Sequence, residues 1–151
     1  MRYLIPALAL AGVVVSVLAL GVHYNMYVSF HHGIHYSTGI EPCDINARWD
    51  CGVVNHSPFA MMGHLPVAVI GIVGYLALAA LAFWRHRFLL FLATLVGLGF
   101  ALRLSFIEEY VLTVWCLYCV ISQIIIGLIT LLSLSWFTAE YIGLKRARRA
   151  A

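Results

Sequence analysis

Charge is what this chain has least of. Nine Lys and Arg and six Asp and Glu amount to 10% of 151 residues, while 64% are hydrophobic. A water-soluble globular chain carries about 25% charged and about 45–50% apolar residues. Too little polar surface is left here to cover a water-facing exterior, so the solvent must be lipid. Internal repeats, low-complexity tracts and a phosphate-cradling glycine loop are also missing. Mid-span charge, the usual mark of a transport path, is limited to Arg103, and that residue sits near the end of its apolar run.

What is present is long apolar stretches. Tyr3–Val22 and Leu65–Trp84 are each twenty residues without a charge, Phe88–Ile107 is broken only by Arg103, and Tyr110–Ala139 runs for thirty. About 20 helical residues cross a hydrocarbon core about 30 Å thick. Such continuous runs cross as helices, because lipid satisfies no backbone N–H or C=O. The reading is an all-α membrane protein of one domain over 1–151. It is a four-transmembrane-helix bundle with spans at about 3–22, 65–84, 88–107 and 112–135 and a long outer loop at 23–64. A cleaved signal peptide is the alternative for the first run, but twenty apolar residues exceed the usual h-region.

Charge then sets the topology. Arg2, Arg85, Arg87, Lys145, Arg146, Arg148 and Arg149 fall on one side of this layout, and Arg48 alone on the other. Arg103 can snorkel to the outer interface. The positive-inside rule makes both termini cytoplasmic and turns the first and third loops outward. The net charge of +3 therefore reads as topology and not as nucleic-acid binding. The basic tail Lys145–Arg149 reads as an anchor to anionic lipid.

All four cysteines fall on the outer side, normally the oxidising one. Cys116-Leu117-Tyr118-Cys119 is a C-x-x-C at a helix start, where unpaired N–H groups favour a thiolate. Residues three apart share a helix face, so the two sulfurs can close a small disulfide ring. Two inert buried cysteines or half a zinc site are the alternatives. Cys43 and Cys51, with seven residues between them in the outer loop, suit a short disulfide loop, mobile or a plain staple. A mobile dithiol loop above a dithiol at the membrane surface makes a relay, since thiolate attack lets each pair reduce the next. A lipid-soluble acceptor, quinone, would end it.

Cys51-Gly52-Val53-Val54-Asn55-His56-Ser57-Pro58-Phe59-Ala60, with Gly63-His64-Leu65-Pro66-Val67-Ala68 and Gly71-Ile72-Val73-Gly74-Tyr75, resembles the vitamin K epoxide reductase family. So does Trp115-Cys116-Leu117-Tyr118-Cys119 followed by Ser122. The likeness covers most of 43–123, with a matching span on either side. It implies a four-helix bundle around a quinone pocket, served by a thioredoxin-like thiol protein. Carried over by motif, Cys43 meets that partner, Cys51 shuttles to Cys116, and Cys119 faces ubiquinone or menaquinone. Ser57 and Phe59 take the loop positions that organise the pocket. Gln123 and Val67 replace a tyrosine and an asparagine of the animal enzymes, so the pattern looks like the bacterial and archaeal quinone reductases that drive disulfide formation. The expected setting is a bacterial or archaeal inner or plasma membrane. The chain ends seven residues after Leu144, so the partner, periplasmic or otherwise extracytoplasmic, is expected to be separate. The other bacterial thiol–quinone oxidoreductase carries its C-x-x-C in the first outer loop, whereas here it comes last.

Other residues carry weaker expectations. Trp115 and Tyr118 flank the C-x-x-C and can stack on a quinone, although aromatics favour interfaces anyway. His31, His32 and His35, with Cys43 or Cys51, offer a metal site. A metal-binding or transport protein with structural disulfides is thus the alternative function, but solvated or interfacial histidines are the simpler reading, as they are for His56 and His64. Glu108 and Glu109 can accept a proton, with a solvated turn as the simpler account. Gly71 with Gly74, and Gly97 with Gly99, suggest close helix packing.

Overall fold

The computed structural model describes residues 3–31, 43 and 45–150, with side chains for all of these except 25–31, 140 and 143–150. The described chain is mainly helical. Helix α1 is Leu4–His31, a short α2 is Cys51–His56, α3 is Val67–Phe83, α4 is Arg87–Ile107 and α5 is Leu117–Ala150. A 3-10 turn, Pro58–Ala60, and a two-stranded hairpin, β1 (Met61–Met62) and β2 (Leu65–Pro66), join α2 to α3. Met61 pairs with Pro66 and Met62 with Leu65. The two-residue tip needs a positive φ, which Gly63 supplies at 66°.

Three helical segments have the length and composition to cross a membrane: Leu4–Tyr24, Arg87–Leu112 and Leu117–Ala139. The expected second span is present as α3, apolar but only 17 residues long. Two expected boundaries differ from what is observed. The first helix continues past Val22 to His31, so the loop begins later than residue 23. The last helix starts at Leu117, not 112. Before it, α4 widens into a π turn over Glu108–Leu112, which ends where Thr113 takes a left-handed φ of 55°. The first helix end lies beyond the fall in hydropathy after Val22, and the second lies inside an unbroken apolar run, so hydropathy shows neither.

The helices are apolar all round, so both faces of each are occupied, one by protein and one by lipid. Facing inward are Ile5 and Ala9 of α1, Tyr75, Leu78 and Ala82 of α3, Leu90 of α4, and Ile125, Ile126 and Ile129 of α5. Facing outward are Leu10, Val14, Val73, Val96, Ile124 and Leu131. With lipid outside, burying these side chains brings little hydrophobic gain, and close packing and buried hydrogen bonds hold the helices together instead. Tyr75 Oη lies 2.8 Å from both the carbonyl oxygen and Oγ of Ser122. Thr94, fully buried on α4, bonds Ser133 of α5 at 3.1 Å. At the α3–α4 turn, the Arg87 guanidinium sits 4.9 Å over the Trp136 ring.

Glycine packing is selective. A Cβ on Gly71 would come within 2.9 Å of Ser16 Oγ, and one on Gly97 within 3.3 Å of Ile126, but Gly74 and Gly99 face open space. Only half of the four expected close contacts are present. The tightest glycine is Gly12, where an added Cβ would lie 2.5 Å from the Tyr75 ring.

Candidate functional site

The segment before α2 is a small folded unit. Asn46 Oδ1 accepts from the N–H groups of Arg48 (2.9 Å) and Trp49 (3.2 Å), closing a side-chain turn. Asp50 is extended, at φ −141°, and its carboxylate accepts from Val53 N–H at 2.9 Å. That is an N-cap, and it makes Cys51 the first residue of α2. Ser57 closes the other end, where its hydroxyl donates to the Val54 carbonyl at 2.8 Å. Replacing Asp50 with Ala should cost about 1 kcal/mol of α2 stability, read as faster hydrogen exchange at Val53 N–H with the rest of the chain unchanged.

This unit is laced to the start of α5. Trp115 N–H donates to the Arg48 carbonyl at 2.8 Å, and Asp50 N–H donates to the Trp115 carbonyl at 3.1 Å. Trp49 and Trp115 thus form a parallel bridge, with their rings 6.3 Å apart. On the outer side Trp115 Nε1 donates to Glu109 at 2.8 Å, and Arg48 approaches the same carboxylate at 3.4 Å. The ion pair is exposed and adds little stability. The backbone bridge is what sets the distance between the two cysteine pairs.

The result is a buried sulfur cluster. Cys43 and Cys51 are joined by a disulfide, with Cα atoms 5.8 Å apart, and Cys116 and Cys119 carry free thiols. Cys43, Cys51 and Cys116 are fully buried. Cys116 Sγ lies 3.3 Å from Cys51 Sγ, and the sulfurs of Cys43, Cys51 and Cys116 all fall within 4.8 Å of one another. Val22 and Val54 complete the buried core, against which Leu112, Val114, Leu117, Tyr118 and Cys119 pack while partly exposed. Asn55 Nδ2 donates to the Cys51 carbonyl (2.9 Å) and points at Cys116 Sγ (3.6 Å).

Cys116 lies in the extended segment just before α5, and its thiol is held below the ordinary cysteine range. The hydrogen bond from the Cys119 thiol is the main cause, and the N–H groups of Cys119 and Tyr118 add to it. Burial and the Glu108 charge oppose the shift. A lowered thiol within contact distance of a disulfide sulfur is set up for exchange. The three-sulfur group does not amount to a zinc site: two of its members are consumed by their own bond, which leaves one thiolate where four ligands are usual.

Glu108 is the largest departure from the sequence reading, which took it for part of a solvated turn. It is 2% exposed. Its Oε2 accepts from Cys116 N–H at 3.1 Å, and the Cys119 thiol lies beside the same carboxyl group. The π turn makes this possible, because it turns the end of α4 back under the C-x-x-C. An acidic pair closing an apolar run was the available signal, but hydropathy assigns such a pair to water. Asn55 and Arg48 had no signal of their own.

The remaining predicted residues divide. Trp115 and Tyr118 adjoin the cluster, Trp115 through its backbone bridge and Tyr118 by packing. Ser57 is buried at the end of α2, six residues past Cys51. Phe59 is exposed in the 3-10 turn, and Gln123 Oε1 accepts from Ser105 Oγ of α4 at 2.5 Å, so neither touches the sulfurs here. His56 is not a free loop side chain: its ring stacks on His23 at 5.4 Å, Nδ1 meets the Gly52 carbonyl (2.8 Å) and Nε2 the His23 carbonyl (3.2 Å). His64 is exposed at the hairpin tip. His32, His35 and the side chain of His31 lie outside the described residues. An open hollow lined by Arg85, His86, Arg87 and Phe137 sits at the α3–α4 turn, at the opposite end of α4 from Glu108.

Comparison with known proteins agrees with this arrangement. The sequence profile described as the Vitamin K epoxide reductase family matches residues 3–134. No curated protein matches the chain.

Proposed function

Since the chain belongs to the vitamin K epoxide reductase family over residues 3–134, and is in that sense a membrane oxidoreductase, we propose that it carries electrons from a reduced thioredoxin-like protein to a quinone and so supports disulfide formation. The observation that carries this reading is the 3.3 Å separation of Cys51 Sγ and Cys116 Sγ, about the distance of a near-attack pair. We take α3 as the fourth crossing. At about 1.5 Å per residue its 17 residues reach the short end of the spanning range. Both termini then lie in the cytoplasm, the cysteines lie on the outer side, and residues 1–151 act as one domain.

The proposed sequence of exchanges uses only sulfur chemistry. A partner thiolate attacks Cys43, breaking the Cys43–Cys51 bond and releasing Cys51 as a thiolate. The partner's second thiol closes its own disulfide and frees Cys43. Cys51 attacks Cys116 of the oxidised C-x-x-C, and Cys119 leaves. Cys43 then attacks Cys51 and releases Cys116, so two electrons have moved to the Cys116–Cys119 pair and the loop disulfide is restored. This end state, with the loop pair joined and the C-x-x-C reduced, has the same bonding as the structure.

A bound quinone would take two electrons and two protons from that dithiol. The surroundings of Cys119 fit such a ring: the sulfur is partly exposed, and beside it are the partly buried side chains of Leu112, Val114, Leu117 and Tyr118. Trp115 and Tyr118 would bound the ring, while Ser57, Phe59 and Gln123 shape the pocket from α2, its following turn and α5. Val67 offers no counterpart to the asparagine of the animal enzymes, and Gln123 stands in place of their tyrosine, which favours ubiquinone or menaquinone over vitamin K epoxide. The lack of mid-span charge and the self-bonded loop cysteines weigh against transport and metal binding.

The test is direct. In detergent, with a reduced thioredoxin-like protein and a soluble quinone, the purified chain should oxidise two thiols for each quinone reduced. If the wild-type protein oxidises the partner but never consumes quinone, the acceptor assignment fails.

A further inference from the structure

Glu108 does nothing in the scheme above. It is nevertheless a buried carboxyl at the C-x-x-C segment, accepting from Cys116 N–H at 3.1 Å and lying beside the Cys119 thiol. We propose that Glu108 is a catalytic acid–base residue, taking the Cys119 proton when that sulfur attacks and returning it when that sulfur leaves.

The argument is electrostatic and geometric. Among the described residues no cation pairs with Glu108, and the ion pair nearby joins Arg48 to Glu109. Burying a lone charge is costly, and the thiol beside it offers a proton that removes the charge. A Cys119 thiolate beside an ionised Glu108 would be two anions in one dry site, which such pairs avoid by sharing a proton. The titratable groups around Glu108 are the thiols of Cys116 and Cys119. Glu109, one residue on, turns outward to Trp115 and Arg48. Water has little access to the carboxyl at 2% exposure, so it offers the partly exposed Cys119 thiol an internal base at neutral pH.

The step balances inside the chain. Starting from a Cys51–Cys116 bond, Cys119 Sγ attacks Cys116 Sγ while its proton passes to Glu108. The Cys116–Cys119 bond forms, the Cys51–Cys116 bond breaks, and Cys51 leaves with the electron pair as a thiolate. In reverse, Cys51 attacks Cys116 and Cys119 leaves, regaining its proton from Glu108. One disulfide is made and one broken, so no outside oxidant is required. The proposal rests on the exchange pathway proposed above, though not on the identity of the acceptor.

Cys43→Ala isolates this step, because the single remaining disulfide then interchanges between Cys51–Cys116 and Cys116–Cys119 without the loop partner. Its interchange is followed after a pH jump by acid quench, alkylation and mass spectrometry, with no quinone present. Adding Glu108→Gln, which keeps the shape and an acceptor for Cys116 N–H, should slow interchange about 10²-fold near neutral pH. The deficit should shrink as pH rises, since hydroxide then ionises the thiol unaided. Glu108→Asp should keep more of the rate than Gln. Equal rates in Glu108→Gln and its parent overturn the proposal, as does a deficit of the same size at every pH, which would mean the residue only holds the segment in place. A wild-type chain that interchanges normally yet never reduces quinone overturns the acceptor reading instead and leaves Glu108 where it is.

Discussion

Cys119→Ala should lose quinone reduction by roughly 10³-fold or more, the scale on which covalent nucleophiles are missed, and should accumulate a bond that the wild type only passes through. Cys116 keeps its position 3.3 Å from Cys51 when residue 119 is truncated, because the Trp49–Trp115 bridge and the Glu108 contact both act on the backbone before α5. The Cys116 thiol can therefore still attack the loop disulfide. Without Cys119 nothing on its own helix resolves the product, and only Cys43 can reverse it. Non-reducing mass spectrometry should show Cys51 joined to Cys116 with Cys43 alkylatable. A Cys119→Ala protein that reduces quinone at the wild-type rate would remove Cys119 from the pathway.

The second large effect is on stability. Gly12→Leu should destabilise the protein by about 3 kcal/mol or more, whereas Gly21→Ala should be neutral or slightly stabilising. A Cβ at position 12 meets Tyr75 ring atoms at 2.5–2.6 Å, closer than packed atoms approach, and one at position 21 meets nothing within 4 Å. Tyr75 cannot simply swing aside, since it is 5% exposed and its hydroxyl is bonded on both counts to Ser122. Overpacking costs about 1–3 kcal/mol, and losing a buried hydrogen bond adds about 0.5–1.5 kcal/mol. Because α1 and α3 gain little from apolar burial in lipid, this close contact is a larger share of what joins them. Denaturant titration in detergent micelles measures the difference. Equal stabilities for the two variants would show that the α1–α3 contact at Gly12 is not tight.

Gly12 also illustrates where sequence reading runs short. The pairs Gly71/Gly74 and Gly97/Gly99 attract attention by their spacing, and a single Gly in a run of Ala, Leu and Val does not. Which small residue faces a neighbour depends on the rotation of each helix about its axis, and uniformly apolar helices leave that rotation unwritten. The helix ends were hidden for two different reasons. Residues 113–116 have no hydropathy break, so only the left-handed Thr113 marks the stop before α5, whereas α1 runs on through His23, Asn25 and Ser29, where falling hydropathy marks the end of a span but not of a helix.

The cysteines were legible for the opposite reason. Their spacing is discrete, and charge asymmetry alone assigns both pairs to one side. Hydropathy puts Glu108 in water, because a carboxylate at the edge of an apolar run usually goes there; a π turn that tucks it beneath a thiol leaves no periodic trace. Asn55 and the Trp49–Trp115 bridge depend on contacts between residues about 60 positions apart, to which no local pattern points.

Composition and spacing by themselves determined that this chain belongs in lipid as helices and that it carries two dithiols meant for one face. Those properties are sums over residues or fixed offsets along the chain, so no neighbour can alter them. Only the tertiary structure decided that Cys51 meets Cys116, that Asn55 attends the pair and that Glu108 is dry. Each of these is set by a distance across space, and in a bundle whose helices look alike from every side, those distances come from packing and backbone turns.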